Sequence, residues 1–158
     1  MEFGAVCQLE RDRLRTPEAE DFGELLVYDC LNPQIVNSTS FGYRTDMVGG
    51  KTPDNICDVF DLATYPGKRS LEKRPINNME WALLCDGVAK GDVYDVLATD
   101  AGQNRALAKL DTIKDSVIWW NAGADTPQLL ADGEVVMGST YNGRLFSVIE
   151  EHTRCVAR

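Results

Sequence analysis

From Arg69 to His152 the chain alternates short β-prone runs with amphipathic stretches, joined by only a few residues, and this alternation restricts the fold more than any other feature. Arg69-Ser-Leu71 reads as a short strand. Asn77-Asn-Met-Glu80 opens a helix, with Asn77 capping the first turn, Glu80 reaching back in a capping box and Gly87 supplying the stop. Cys85 falls on the apolar face of that helix with Trp81 and Leu84 and reads as core. Asp100 caps a second helix in which Ala106, Leu107, Leu110 and Ile113 recur at helical spacing, and Val117-Ile-Trp-Trp120 follows as a buried strand. Trp119 and Trp120 alternate faces there; core is the assignment for both, with a surface position the alternative for one. A third helix opens at Thr126-Pro127 and closes at Gly133. Glu134 to Ser139 is a strand, Thr140-Tyr-Asn-Gly143 a turn, and Arg144 to His152 a last helix with Leu145, Val148, Ile149 and His152 on one face. Strand, helix, strand, helix with short links means α/β with a largely parallel sheet flanked by helices.

The part before Arg69 is less regular. Residues 1–33 hold a charged patch, Glu10-Arg-Asp-Arg-Leu-Arg15, and read as a helix or a loose arm. Ile35 to Arg44 is rich in β-formers in alternation and reads as a strand. Met47 to Pro53, with Gly49-Gly50, is a loop, and Pro53 to Leu62 a short helix ending before the turn at Tyr65-Pro-Gly-Lys68.

Composition narrows the function classes. With 25 acidic against 16 basic side chains and a net charge of −9, nucleic acid and anionic membrane surfaces are poor partners. The longest apolar runs fall far short of the ~20 residues of a spanning helix. One histidine, His152, removes most routes to metal binding and to histidine-dependent catalysis. The five cysteines (Cys7, Cys30, Cys57, Cys85, Cys155) show no metal-ligand spacing, and most read as buried small hydrophobes. No nucleophile motif, phosphate loop or dinucleotide fingerprint is present, so no enzyme and no cofactor are expected. Met1-Glu-Phe-Gly-Ala-Val-Cys7 carries neither the basic nor the apolar region of a secretory signal.

Asp61-Leu-Ala-Thr-Tyr-Pro-Gly-Lys-Arg-Ser-Leu71, Glu80-Trp-Ala-Leu-Leu-Cys-Asp-Gly-Val88, Ile118-Trp-Trp120, Pro127-Gln-Leu-Leu-Ala-Asp-Gly-Glu-Val135 and Tyr141-Asn-Gly-Arg144, in that order and spacing, resemble the extracellular solute-binding proteins of ABC importers, in their spermidine/putrescine branch. The resemblance runs over roughly residues 30 to 150. It implies a periplasmic-binding-protein lobe of type II, incomplete and cut at both ends. Residues 1–33 would be a remnant of the first lobe or an irregular arm, 34–46 a hinge-crossing strand and 47–158 the second-lobe α/β domain. It also implies a periplasmic or extracellular location, a membrane permease as partner, and a small polar solute, polyamine or carboxylate-bearing. Surface exposed by truncation would favour self-association.

The same resemblance nominates the ligand residues. Tyr141 would pack on the solute's alkyl chain or amine. Three positions later the family usually places a carboxylate; Arg144 stands there, which repels a cation and can fork onto a carboxylate. Asn142 belongs to the same turn. Asn77 and Asn78, beside Arg74, occupy a helix start facing the cleft, with capping of that helix the alternative role for Asn77. Asp125, in the loop after the tryptophans, is the acidic candidate for a cationic solute. Ser38 and Thr39 offer hydroxyls from the hinge strand. A bridge between Cys7 and Cys30 would staple the opening in an oxidising compartment. Two other classes stay open beside the transporter reading: a small α/β enzyme using Asp125 with Tyr141, and the ligand-sensing domain of a regulator.

Overall fold

A computed structural model describes residues 37–151 and 155–157. Its five-stranded sheet comprises β1 (Thr39–Arg44), β2 (Arg69–Glu72), β3 (Val117–Trp120), β4 (Met137–Tyr141) and β5 (Cys155–Ala157), in the spatial order β3-β2-β4-β1-β5. β2 pairs in parallel with both β3 and β4, while β1 is antiparallel to both β4 and β5. The α/β class is as expected, but the sheet is mixed: four strands run one way, and the reversed β1 makes two of the four pairings antiparallel. The helices are α1 (Asn78–Cys85), α2 (Val93–Leu97), α3 (Asp100–Asp111), α4 (Asp125–Asp132) and α5 (Asn142–Glu151), with 3-10 turns at Ile56–Phe60, Lys90–Asp92 and Lys114–Ser116.

Three apolar clusters hold these layers. Phe41, Tyr43, Leu71 and Met137 from the strands pack with Val48, Val59, Tyr65 and Ile113. Leu130 and Val135 meet Leu145 and Val148 of α5. Ala82, Leu83, Val93 and Ala106 join α1, α2 and α3. A fully buried leucine such as Leu83 or Leu130 contributes about 2 kcal/mol by removal from water.

α4 lies unusually close to the sheet. Gly138 pairs with Ser70, and a Cβ built on Gly138 would stand 2.6 Å from the Thr126 methyl and 2.9 Å from the Ser70 Cβ. The buried hydroxyls of Ser70 and Thr126 satisfy each other at 2.7 Å. At its other end α4 is closed by Gly133 in the left-handed region (φ 74°), and the buried Arg44 donates to the carbonyls of Leu130 and Ala131 at 2.8 and 2.9 Å. Another buried cation, Arg69, ties the segment before β2 together by donating to Val59 O, Asp61 O and Gly67 O. Burial lowers its pKa to about 10, so it stays charged at neutral pH.

Several local expectations are corrected. The cap of α3 is Thr99, whose Oγ1 accepts from Gly102 N, because Asp100 already sits inside the helix. α2 escapes a periodicity search because it spans barely more than one turn. β4 continues through Thr140 and Tyr141, since both pair with β1, and α5 begins at Asn142. Val117–Trp120 is an edge strand, with Trp120 buried and Trp119 exposed. Cys85 is not a free core thiol: it is bridged to Cys57, with Cα atoms 5.1 Å apart, joining the 3-10 turn to the end of α1. Cys7, Cys30 and His152 lie outside the described residues.

The Cys57–Cys85 bridge closes a separation of 28 residues, and a loop of that length is worth about 3–4 kcal/mol in lost unfolded-state freedom. Reduction, or Cys57→Ser, lowers the urea midpoint accordingly; coincident oxidised and reduced unfolding curves would show that the bridge adds nothing.

Candidate functional site

Parallel strands release their chains at one end of the sheet, and reversed β1 enters at that same end, where Thr39 pairs with Tyr141. Ser38 and Asn142 are latched there: Asn142 N donates to Ser38 O at 2.9 Å, and Ser38 N donates to Asn142 Oδ1 at 3.1 Å. Asn77 Nδ2 donates to Thr39 Oγ1 at 3.2 Å. That bond takes the place of the expected capping box, for Asn77 makes no side-chain bond to the helix it precedes. Its backbone, at φ 66° and ψ −42°, is in a region costly for any residue with a Cβ.

Asn78 is buried, and its amide donates to Glu72 O at 2.6 Å and Arg74 O at 2.7 Å, so it fixes the chain leaving β2. Lys73 N donates to Trp120 O, tying the same segment to the end of β3. The Glu72 carboxylate is buried and accepts from Arg74 Nε at 2.7 Å, while the Arg74 side chain is 60% exposed. Arg74 Nη2 also reaches Tyr141 Oη at 3.4 Å.

Tyr141 is half-buried between groups of three elements. Its ring stands edge-on to Trp120, with centroids 6.1 Å apart and planes at 83°. On another side lies Gly123, where an added Cβ would come within 2.8 Å of the ring. Thr140 Oγ1 holds that loop by donating to Gly123 O at 2.8 Å, and Asp125 Oδ2 accepts from Ala122 N. Trp120 Nε1 is buried without a partner.

The fold thus draws Ser38, Thr39, Asn77, Asn78, Tyr141 and Asn142 into one bonded set. Asp125, expected in the loop, is instead the exposed first residue of α4. Arg144 is exposed on the first turn of α5, with no ion pair or hydrogen bond among the described residues. Sequence reasoning passes over Glu72 and names Arg74 only as a neighbour. The available signal was their spacing, since residues two apart at a strand end share a face. Beside Arg74 an open groove of about 350 Å³ runs past Pro75, Met79, Leu110 and Trp119.

Among the described residues no group of three His, Cys, Asp or Glu side chains is placed to hold a metal, and no helix is long and apolar enough to cross a membrane. What the arrangement offers is an aromatic face, a tethered guanidinium and a ring of amides and hydroxyls.

Residues 16–155 match the family model described as bacterial extracellular solute-binding protein. The chain is similar to the gamma-aminobutyric acid-binding protein of Pseudomonas aeruginosa, with 46% identity over 101 residues, 64% of this chain and 29% of that protein. Among solved structures, the Atu4243 GABA receptor is 36% identical with a TM-score of 0.66, covering 77% of this chain and 36% of the other. The binding protein MotA of A. tumefaciens B6, in complex with glucopine, is 29% identical with a TM-score of 0.73, covering 96% and 50%. The chain therefore spans about a third of the length of the first two.

The strained backbone at Asn77 yields a stability comparison. Asn77→Gly and Asn77→Ala both lose the Thr39 contact, but only alanine keeps the Cβ penalty, so the glycine variant unfolds with about 1–2 kcal/mol more stability. Equal thermal midpoints for the two would remove the strain from the account.

Proposed function

Because the chain belongs to the bacterial extracellular solute-binding proteins, we propose that it forms one wall of the solute site of an ABC importer's substrate-binding component. The family binds solutes and does not transform them, so the chain is not an enzyme. The bonded set at the sheet end carries the reading: Tyr141 is wedged between Trp120 and Gly123 with its hydroxyl on Arg74, and the latched Ser38–Asn142 and Thr39–Asn77 pairs surround it. A half-buried aromatic held from three sides provides a fixed surface for an alkyl chain or an amine, and fixed surfaces bind with less ordering cost.

The solute in this proposal is small and polar and carries an amine, in the range between a polyamine and γ-aminobutyrate. The relatives named for γ-aminobutyrate support the latter end of that range. The whole protein would work outside the cytoplasmic membrane, in the periplasm, and hand its solute to a membrane permease. Asn142, Asn77, Ser38 and Thr39 supply polar contacts. Asp125 faces an amine, and Arg144 stands at the rim.

The purified chain, titrated calorimetrically with γ-aminobutyrate, putrescine and spermidine, binds at least one of them. Tyr141→Ala weakens that binding by about tenfold or more, the value of one lost aromatic contact, with the fold retained by circular dichroism. Binding of none of the three by the wild-type chain would overturn the proposal.

A further inference from the structure

We infer that Arg74, aimed by the buried carboxylate of Glu72, selects a solute that carries a carboxylate; this rests on the solute-binding reading above. A buried carboxylate needs a counterion, and Glu72 has one in Arg74, which bonds it through Nε and Nη2. A guanidinium has five N–H donors in a planar fork, and that contact leaves the Nη1 edge without a partner among the described residues. The remaining donors lie on a side chain that is 60% exposed and within reach of Tyr141 Oη. That is the geometry of a cation held from behind and open in front.

Its backbone is equally fixed. Asn78 Nδ2 holds Arg74 O, Lys73 N holds Trp120 O, and Pro75 follows with its restricted φ. Little freedom is left to lose when an anion arrives. The adjacent Lys73 adds positive charge, so an ammonium at the Tyr141 hydroxyl would meet repulsion, whereas a carboxylate there completes a forked ion pair. A solute with a carboxylate at one end and a short alkyl chain fits this pair, the first on Arg74 and the second on the Tyr141 ring. Glu72 acts through Arg74, as a positioning residue, and does not touch the solute.

The discriminating pair of probes is γ-aminobutyrate and putrescine, each with a four-carbon chain and an amine at one end, which differ in whether the other end is a carboxylate or a second amine. By calorimetry the wild-type chain binds γ-aminobutyrate more tightly than putrescine. Arg74→Gln lowers γ-aminobutyrate affinity by about tenfold or more, the loss for removing a charge-assisted forked contact, and lowers putrescine affinity little. Arg74→Lys restores only part, since an ammonium cannot fork. Glu72→Gln narrows the γ-aminobutyrate to putrescine preference while thermal unfolding shows the variant folded. Putrescine preferred by the wild type, or γ-aminobutyrate affinity unchanged in Arg74→Gln, overturns this inference and leaves solute binding standing. Binding of neither probe, nor of spermidine, by the wild type overturns both.

Discussion

The seat of α4 on the sheet is the contact on which the rest depends. Where Gly138, Ser70 and Thr126 meet there is no room for another side chain, and two hydroxyls that would be costly to bury singly are buried as a mutual pair. This seat sets the height of α4, and hence of the loop that enters it. Gly123 in that loop lies against the Tyr141 ring so closely that it too tolerates no Cβ. Arg44 closes the far end of the helix on its last carbonyls, so α4 is pinned at both ends. The orientation of the central aromatic is thus set by small residues.

Reversal of β1 is the second determinant. Had β1 run with its neighbours, Ser38 and Thr39 would stand at the opposite end of the sheet. Running against β4, it brings its first residues level with Tyr141 and lets Asn142 and Asn77 bond them. The candidate site is therefore assembled from the start of one strand and the ends of three others, with a buried carboxylate beneath a cation at its edge. Ligand sites in α/β sheets favour this end because strand ends and helix starts place backbone polar groups there.

Much of the architecture was legible because its signals are local. Turn residues at Gly87 and Gly133, the helical spacing of Leu145 and Val148, and the β-rich run before Arg44 depend only on neighbours in sequence. Tyr141, Asn142, Asn77 and Thr39 were nominated by resemblance, and the fold brings them together. Less legible was the way each is used. Asn77 has the sequence context of a cap, yet a residue 38 positions earlier claims its amide. Cys85 has the context of a core residue, yet it is bridged to Cys57 across 28 positions. Trp119 and Trp120 are identical in propensity and point to opposite faces of β3, and only tertiary packing covers one face, burying Trp120 and leaving Trp119 exposed.

By itself, the sequence determined the α/β class, the order and near-register of the elements, and the residue types available for a polar solute, since propensity, periodicity and turn chemistry act over a few residues. Tertiary structure alone decided that one strand runs backwards, which cysteine meets Cys57, and that Glu72 and Arg74 form a charged pair beside Tyr141. Those outcomes depend on distances between residues far apart in the chain, and such distances exist only after the apolar faces have packed and left each polar group to find its partner.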